Sequence, residues 1–236
     1  MNYIEPAPGR LSGKVAFLAG ATGGIGRTIA EVFAQHGARV VVGGRRRDDG
    51  KEVVEAIVAR GGQALYVSLD VTSEESVENA VRAAVETFGS LHILVNNAGG
   101  STASDGRVTT ASIEEFWNKI KVELFGTFLC NRFVIPEIVR AGGGSVINMA
   151  SLAGLGIVTE RDAYSSAKGA VLTLTQSTAR EFVTDRVRVN AIAPGGVRTE
   201  RIEKLLEASS DARDAMATSR GAEEANSVAT RVRHVR

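Results

Sequence analysis

Three residues in the middle of the chain carry side chains suited to proton transfer. The segment Tyr164-Ser-Ser-Ala-Lys168 places a phenol and an ammonium four residues apart, and Ser151 lies thirteen residues before the tyrosine. On a helix, residues four apart share one face, and a nearby ammonium lowers the pKa of a phenol from its usual value of about 10. The spacing therefore predicts a tyrosine that exchanges a proton with an alcohol or carbonyl oxygen, with the serine hydroxyl bonded to the same oxygen. Taken alone, it fits an exposed helical pair equally well.

Ser151 follows one of six short apolar runs that predict the strands positioning this chemistry. The runs are rich in Val, Ile and Leu without clean polar alternation, as expected for strands buried on both faces. They cover Val15–Ala19, Arg39–Val42, Ala64–Leu69, Ile93–Asn96, Ser145–Met149 and Arg188–Ile192.

Amphipathic stretches between the runs predict helices. They cover 24–36, 50–61, 73–88, 112–140 and 162–184. Repeated strand–helix alternation implies a parallel sheet with helices on both faces and right-handed crossovers. The predicted fold class is α/β, a doubly wound parallel sheet forming a single domain over residues 1–236.

A glycine-rich turn, Gly20-Ala-Thr-Gly-Gly24-Ile-Gly26, joins the first strand to the first helix. Glycines let the backbone approach a pyrophosphate, and a helix N-terminus supplies N–H groups and a positive dipole end. The spacing is G-x-x-x-G-x-G, and as an isolated motif it would also fit a tight turn. Between strand and helix, it predicts a dinucleotide site.

Charge and composition limit the partners. The 236 residues are 44% hydrophobic and 23% charged with a formal net charge of +1, which gives no argument for nucleic acid or a membrane surface. The single cysteine, Cys130, excludes an internal disulfide and fits a reducing cytosol. The three histidines are scattered, so we expect no metal site.

Nothing in the sequence predicts a membrane or secretory location. No apolar stretch approaches the roughly 20 residues that span a bilayer, and Met1–Lys14 has no apolar core of a signal peptide. We therefore expect a cytoplasmic protein.

Taken together, these motifs resemble the short-chain dehydrogenase/reductase family over about residues 10 to 205, and in particular its 3-oxoacyl reductase-like members. Besides the glycine turn and the Ser-Tyr-Lys set, the resemblance rests on Asp70-Val71, Asn96-Asn-Ala-Gly99 and Pro194-Gly-Gly-Val-Arg-Thr199. It implies a Rossmann-like fold and hydride transfer between a nicotinamide cofactor and a carbonyl or secondary alcohol.

The resemblance also implies roles for single residues. Tyr164 would be the acid/base, Lys168 would lower its pKa and hold the nicotinamide ribose, and Ser151 would orient the substrate oxygen. The remaining cofactor-binding positions would be Gly20, Thr22, Gly24, Ile25 and Gly26 at the pyrophosphate, Asp70 and Val71 at the adenine, and Asn97 and Val197 along the ribose and nicotinamide.

The end of the second strand indicates the choice of cofactor. NAD sites place an acid about 20 residues past the glycine turn, whereas an arginine there accommodates the 2′-phosphate of NADP. Gly44 stands at that place and Arg45-Arg46-Arg47 follows, which favours NADP(H) with Arg45 as the phosphate ligand. The alternative is a solvated basic turn balanced by Asp48-Asp49, and Gly23 stands where many NADP-preferring relatives have a basic residue.

Glu123 departs from the family pattern, which commonly has an asparagine at this fourth catalytic position. The context is Val122-Glu-Leu-Phe-Gly-Thr-Phe128. A carboxylate facing Lys168 would oppose the effect of the lysine on Tyr164. The alternative is that Glu123 turns to solvent or pairs with Lys119, four residues earlier.

The end of the chain is the second departure. Residues 208–236 contain no Leu, Ile or Phe, which predicts an atypical, poorly ordered tail in place of the last helix and strand of the family. Many relatives are tetramers, so the apparent loss of the last strand favours a homodimer formed by helices 112–140 and 162–184.

The substrate class stays broad at this stage. The expected walls, Leu152–Ala163 and the segment after Pro194, mix apolar and charged residues. This mixture fits a medium-sized apolar ketone or an acyl group on an acidic carrier. Two other functions remain open, a catalytically weak nucleotide-binding sensor or interaction module and an epimerase working through a transient ketone.

Overall fold

The computed structural model describes residues 9–197 and Thr199. The six predicted strands form within two residues of the expected ends. They are β1 (Val15–Ala19), β2 (Arg39–Gly44), β3 (Gln63–Ser68), β4 (Ile93–Asn96), β5 (Gly144–Met149) and β6 (Val187–Ile192). The expected tail over 208–236, and with it the last strand of the family, lies outside the described residues.

The six strands form one parallel sheet in the order β3-β2-β1-β4-β5-β6. This order confirms the predicted doubly wound, Rossmann-like sheet. Ala19, the last residue of β1, is in register with Gly43 of β2 and Asn96 of β4, and Asn96 is in register with Asn148 of β5. The loops that follow β1, β4 and β5 therefore start side by side at the carboxyl edge of the sheet.

The helices cover both faces of this sheet. They are α1 (Gly24–Gln35), α2 (Arg47–Ala59), α3 (Glu74–Phe88), α4 (Ile113–Lys119), α5 (Gly126–Arg140) and α6 (Asp162–Glu181). In β1, Phe17 packs into the cluster with α3 and α5, whereas Leu18 packs on the other face with α1 and α2. Burial of both faces explains why the strand sequences lack polar alternation.

Local sequence signals account for several helix starts. Ser73 accepts a hydrogen bond from the N–H of Ser76 at 3.2 Å, and Glu74 and Glu75 fill the first turn of α3. Ser112 caps α4 in the same way through the N–H of Glu115 at 3.1 Å.

The helix predicted over 112–140 is interrupted. A π-helical segment, Ile120–Phe125, separates α4 from α5 and contains Glu123. An amphipathic pattern does not distinguish i→i+5 from i→i+4 hydrogen bonding, so the π-helical segment could not be predicted from the sequence. Such segments occur frequently at functional sites, and here the segment carries a fully buried carboxylate.

Within the described part of the chain, no helix combines the length and apolar character needed to cross a membrane.

Candidate active site

The glycine turn after β1 is held against its neighbours by backbone contacts. The N–H groups of Gly20 and Ala21 both donate to the carbonyl of Gly43, at 2.9 and 3.0 Å. Asn97 Nδ2 donates to the Gly20 carbonyl at 2.7 Å. A Cβ on Gly26 would overlap that same carbonyl oxygen, so only glycine fits where α1 crosses the turn.

The N-terminus of α1 suits a pyrophosphate. The helix begins without a side-chain cap, and its first hydrogen bond runs from the N–H of Arg27 to the carbonyl of Gly23 at 3.3 Å. The N–H groups of Gly24, Ile25 and Gly26 come before this first bond in the helix. N–H groups at this position are the ones that bind phosphates at helix N-termini. Uncapped donors beside a turn whose Gly26 leaves no space for a side chain fit a dinucleotide.

Thr199 lies near this turn. It belongs to the motif after the sixth strand, but it was not predicted to be a cofactor-binding residue. A Cβ on Gly24 would lie 3.5 Å from its Cγ2. Val197, two residues earlier, is 43% exposed. The segment after β6 therefore reaches back to the first turn of α1.

Asp70 follows β3 at the same edge. The pKa of Asp70 is held below its usual range, mainly by the hydrogen bond that its carboxylate accepts from the N–H of Thr72. Partial burial acts in the opposite direction and raises this pKa. The hydrogen bond from the Thr72 hydroxyl and the charges of Arg45 and Lys121 lower it further. Val71 is 7% exposed, and a Cβ on Gly126 would lie 2.7 Å from its Cγ2. Val71 therefore offers little free surface to an adenine ring.

Arg46, which the sequence did not single out, lies on the glycine turn. Its Nη2 donates to the carbonyl and the hydroxyl of Thr22, at 3.2 and 3.3 Å, and its Nη1 pairs with Asp49 at 2.7 Å. A Cβ on Gly23 would lie 2.6 Å from Nη2. Gly23 thus leaves room for a guanidinium supplied by the next loop, whereas Arg45 is exposed toward Asp70.

Lys168 and Tyr164 lie together on α6, as the spacing predicted. Lys168 is 4% exposed, and its Nζ lies 5.7 Å from the centroid of the Tyr164 ring. The same Nζ donates to the carbonyl of Met149 at 2.6 Å. Ser151, two residues after Met149, accepts a hydrogen bond from the N–H of Ala153 at 3.2 Å and caps a short 3₁₀ turn.

Glu123 faces Lys168 and not the solvent. Its Oε2 lies 2.9 Å from Lys168 Nζ, and its Oε1 accepts the N–H of Gly100 at 2.5 Å. Lys119, the alternative partner, pairs with Glu115 at 3.1 Å. Of the two orientations that the sequence left open, the structure has the one toward the lysine of the Tyr-x-x-x-Lys pair.

Asp105 caps α6 from a distant loop, a role that the sequence analysis did not predict. Its carboxylate accepts the N–H groups of Ala163 and Tyr164, at 3.2 and 2.9 Å, and that of Gly106 at 2.8 Å. The N-cap residue itself, Arg161, supplies no side-chain cap. Because the predicted helix has no Ser, Thr, Asp or Asn at its N-cap, a capping residue from elsewhere in the chain could have been sought.

A buried amide network lies beneath the site. Asn96 Nδ2 donates to Asn131 Oδ1 at 2.9 Å and to Asn148 Oδ1 at 2.8 Å, and Asn148 Nδ2 donates to Thr175 Oγ1 at 2.9 Å. These bonds tie β4, β5, α5 and α6 together below Tyr164 and Lys168.

An open cleft of about 560 Å³ lies over the expected substrate wall. Its lining includes Arg107, Val158, Glu160, Asp162 and Ser165. In the described ranges, no group of three or more His, Cys, Asp or Glu is placed to hold a metal ion.

The model of the short chain dehydrogenase family matches residues 14–210, and the chain belongs to this family. A 2,5-dichloro-2,5-cyclohexadiene-1,4-diol dehydrogenase of Sphingobium indicum is 44% identical over 191 residues, covering 80% of this chain and 75% of the relative. A trans-4-hydroxycyclohexanecarboxylate dehydrogenase of Sinomonas cyclohexanicum is 42% identical over 196 residues, covering 80% and 74%.

Among solved structures, the L-sorbose reductase of Gluconobacter frateurii, complexed with NADPH and L-sorbose, superposes with a TM-score of 0.79. The sequence identity is 31%, and the match covers 83% of this chain and 74% of that chain. The chain is therefore an oxidoreductase that uses a nicotinamide cofactor and acts on alcohol or carbonyl substrates.

Proposed function

We propose that this chain interconverts a secondary alcohol and a ketone with NADP(H), and that Tyr164 is its acid/base. The observation that carries the proposal is the buried ammonium of Lys168, 5.7 Å from the Tyr164 ring. Both residues lie at the carboxyl edge of the sheet, where the glycine turn fits a dinucleotide. An ammonium there stabilises a phenolate.

When bound, a nicotinamide cofactor would supply or accept the hydride. Tyr164 donates a proton to the carbonyl oxygen in reduction and takes the proton from the hydroxyl in oxidation. Ser151 donates a hydrogen bond to the same oxygen and orients it. Lys168 has three N–H donors; one serves the Met149 carbonyl, so its ammonium keeps donors for the ribose.

The cofactor preference rests on the end of β2. A Cβ on Gly44 would lie 2.5 Å from Cγ2 of Thr22, so the acidic side chain that binds the 2′-hydroxyl of NAD would require Thr22 to move. Arg45 and Arg46 instead offer guanidinium groups, whose planar fork suits a phosphate. These contacts favour NADP(H), with Asp70 and Asn97 along the adenosine and nicotinamide ribose.

The relatives and the cleft support a narrower substrate class. The two relatives reported above are named for hydroxylated six-membered carbon rings. The expected substrate wall exposes Leu155 and Ile157, by 44% and 41%, and the cleft over this wall is lined by the charged residues Arg107, Glu160 and Asp162. We infer a six-membered carbocyclic alcohol or ketone, with the acyl group on an acidic carrier as the alternative substrate.

One observation favours a second function. The carboxylate of Glu123 lies 2.9 Å from the ammonium of Lys168 and offsets the charge that activates Tyr164. A domain in which this offset prevails would bind the nucleotide and act as a sensor or interaction module without turnover.

Cofactor turnover separates the two functions. The purified chain is incubated with NADPH or NADP⁺ and a panel of cyclohexanone, cyclohexanol, 4-hydroxycyclohexanecarboxylate and a linear ketone, and the nicotinamide absorbance is followed. We expect turnover with the ring compounds and faster rates with NADP(H) than with NAD(H). Saturable NADPH binding without turnover of any member would overturn the enzyme proposal and support the sensor.

A further inference from the structure

Four charged side chains form a buried line next to the lysine of the site. Glu115, Lys119 and Glu123 follow one another at intervals of four residues along α4 and the π-helical segment, and Lys168 faces the last of them from α6. Their exposed fractions are 7%, 3%, 0% and 4%. Buried charges are destabilising unless each is paired and hydrogen-bonded, and here two positive groups alternate with two negative ones.

Each charge in this line has defined partners. Lys119 Nζ lies 3.1 Å from Glu115 Oε1. Glu115 also accepts hydrogen bonds from the hydroxyl of Thr102 and, at 3.2 Å, from Asn118 Nδ2. Burial raises the pKa of Glu115, but the hydrogen bonds from Thr102, Asn118 and Lys119 outweigh burial and hold the pKa below its usual range. Glu115 is therefore the ionised counter-charge of Lys119.

The line holds Gly100 from both sides. Lys119 Nζ donates to the Gly100 carbonyl at 2.9 Å, and the Gly100 N–H donates to Glu123 Oε1 at 2.5 Å. Gly99 and Gly100 have φ values of 128° and 137°, which disfavour any other residue. A Cβ on Gly99 would overlap the Glu123 carboxylate, so this carboxylate packs directly on the backbone.

Gly100 and Lys168 therefore share one carboxylate. One oxygen of Glu123 is fixed by the Gly100 N–H and the other faces the Lys168 ammonium. If Gly100 moves, the carboxylate is free to rotate or shift, and the ammonium loses one of the two groups that hold it, with only the Met149 carbonyl remaining. Lys119 is the side chain that fixes the opposite side of Gly100.

We propose that Lys119, with Glu115 as its counter-charge, is a positioning residue for the reaction: it fixes Gly100, and thereby the Glu123 carboxylate that sets the place of Lys168 beside Tyr164. Lys119 acts only through these groups. The inference rests on the proposed function, because it needs Tyr164 and Lys168 to be the reacting pair.

The kinetic test uses the double variant Glu115→Gln/Lys119→Met, which removes both charges together and leaves neither unpaired. We expect kcat to fall about tenfold or more, because small misplacements of catalytic groups are costly, while KM for the cofactor changes little. The matched control is Glu114→Gln, an exposed neighbour on α4, which should leave both constants unchanged.

A dependence on Glu123 separates positioning from a general loss of structure. In a Glu123→Asn background, the same double change should lower kcat much less, because the shorter side chain does not reach both Gly100 and Lys168 and cannot transmit the effect. Equal losses of kcat in the two backgrounds would overturn the inference.

Hydrogen exchange provides a readout that needs no turnover. In the unliganded double variant, the amide of Gly100 should exchange faster, while amides of β1 and α6 keep their protection. If the unaltered protein is active and the double variant shows unchanged exchange at Gly100, this inference alone is overturned. If the unaltered protein shows no turnover, the proposed function is overturned. If the double variant does not fold, Glu115→Gln/Lys119→Gln replaces it, and normal kcat and exchange in that variant would contradict the inference.

Discussion

Lys168 Nζ lies 2.9 Å from Glu123 Oε2, and both side chains are buried. The lysine that flanks Tyr164 is therefore held by a carboxylate from the π-helical segment of the neighbouring helix. The ammonium is fixed in place and its field at Tyr164 is partly offset. Removal of one partner from a buried ion pair is typically destabilising by about 3–5 kcal/mol, so this pair also ties α6 to the π-helical segment.

The charge of Glu123 predicts an alkaline activity profile. Its negative charge opposes the effect of Lys168, so alcohol oxidation, which needs the phenolate, should be favoured only at higher pH. The variant Glu123→Gln keeps the length of the side chain and removes the charge. We expect its pH–rate profile to shift to lower pH, with higher activity near neutral pH.

The shorter variant Glu123→Asn controls for geometry. It also lacks the charge but does not reach both Gly100 and Lys168, so it should show the same direction of shift with a lower maximal rate. Identical pH–rate profiles in the unaltered protein and the Gln variant would show that Glu123 does not act on Tyr164.

The arginines after β2 should discriminate between the cofactors. Loss of a hydrogen bond to a charged group costs about 1.5–3 kcal/mol, so Arg45→Ala and Arg46→Ala should weaken NADPH binding by that amount and NADH binding much less. Arg47→Ala, at the exposed start of α2, is the matched control. Titration with the two cofactors measures the difference, and equal losses for both would reassign the run to a solvated surface turn.

Exposed aromatic side chains support the expected dimer. Trp117, Phe125 and Phe128 lie on the interrupted helix with exposed fractions of 61%, 41% and 44%. Burial of such side chains at an interface contributes favourably through the apolar area removed from water. We expect the protein to be a dimer by light scattering and Phe128→Glu to weaken it. A stable tetramer, or a monomer before any substitution, would contradict this arrangement.

Cys130 should be unreactive in the folded protein. Complete burial raises the pKa of its thiol to about 12, and the thiolate is the reactive form. An aromatic disulfide reagent at pH 8 should therefore react with about one thiol per chain only after unfolding. Rapid reaction of the native protein would show that α5 opens readily.

Much of the fold was accessible from the sequence because its signals are local. β1 and β4 have the predicted ends, since Val15–Ala19 and Ile93–Asn96 are buried apolar runs bounded by turns. β2 is two residues longer than predicted because Gly43 and Gly44 pair with β3 despite having no side chains. Periodicity and turn chemistry carry this information.

The site was only partly accessible, because the remaining contacts join residues far apart in sequence. The Tyr164–Lys168 pair follows from helical spacing alone. The contact between Glu123 and Lys168 depends on the π-helical segment, which no sequence pattern predicted. Arg46 can lie on the glycine turn because Gly23 has no side chain. Gly23 is far from the arginine run in sequence, so no pattern within the run distinguishes Arg46 from Arg45.

The most direct test of the account is turnover by Tyr164→Phe under conditions where the unaltered protein oxidises a ring alcohol with NADP⁺. The substitution removes the proton-transferring hydroxyl and keeps the ring beside Lys168. A general acid/base typically contributes about 10²–10⁴-fold, so kcat should fall by at least two orders of magnitude while NADPH binding is retained. Turnover by this variant at the unaltered rate would contradict the proposed mechanism.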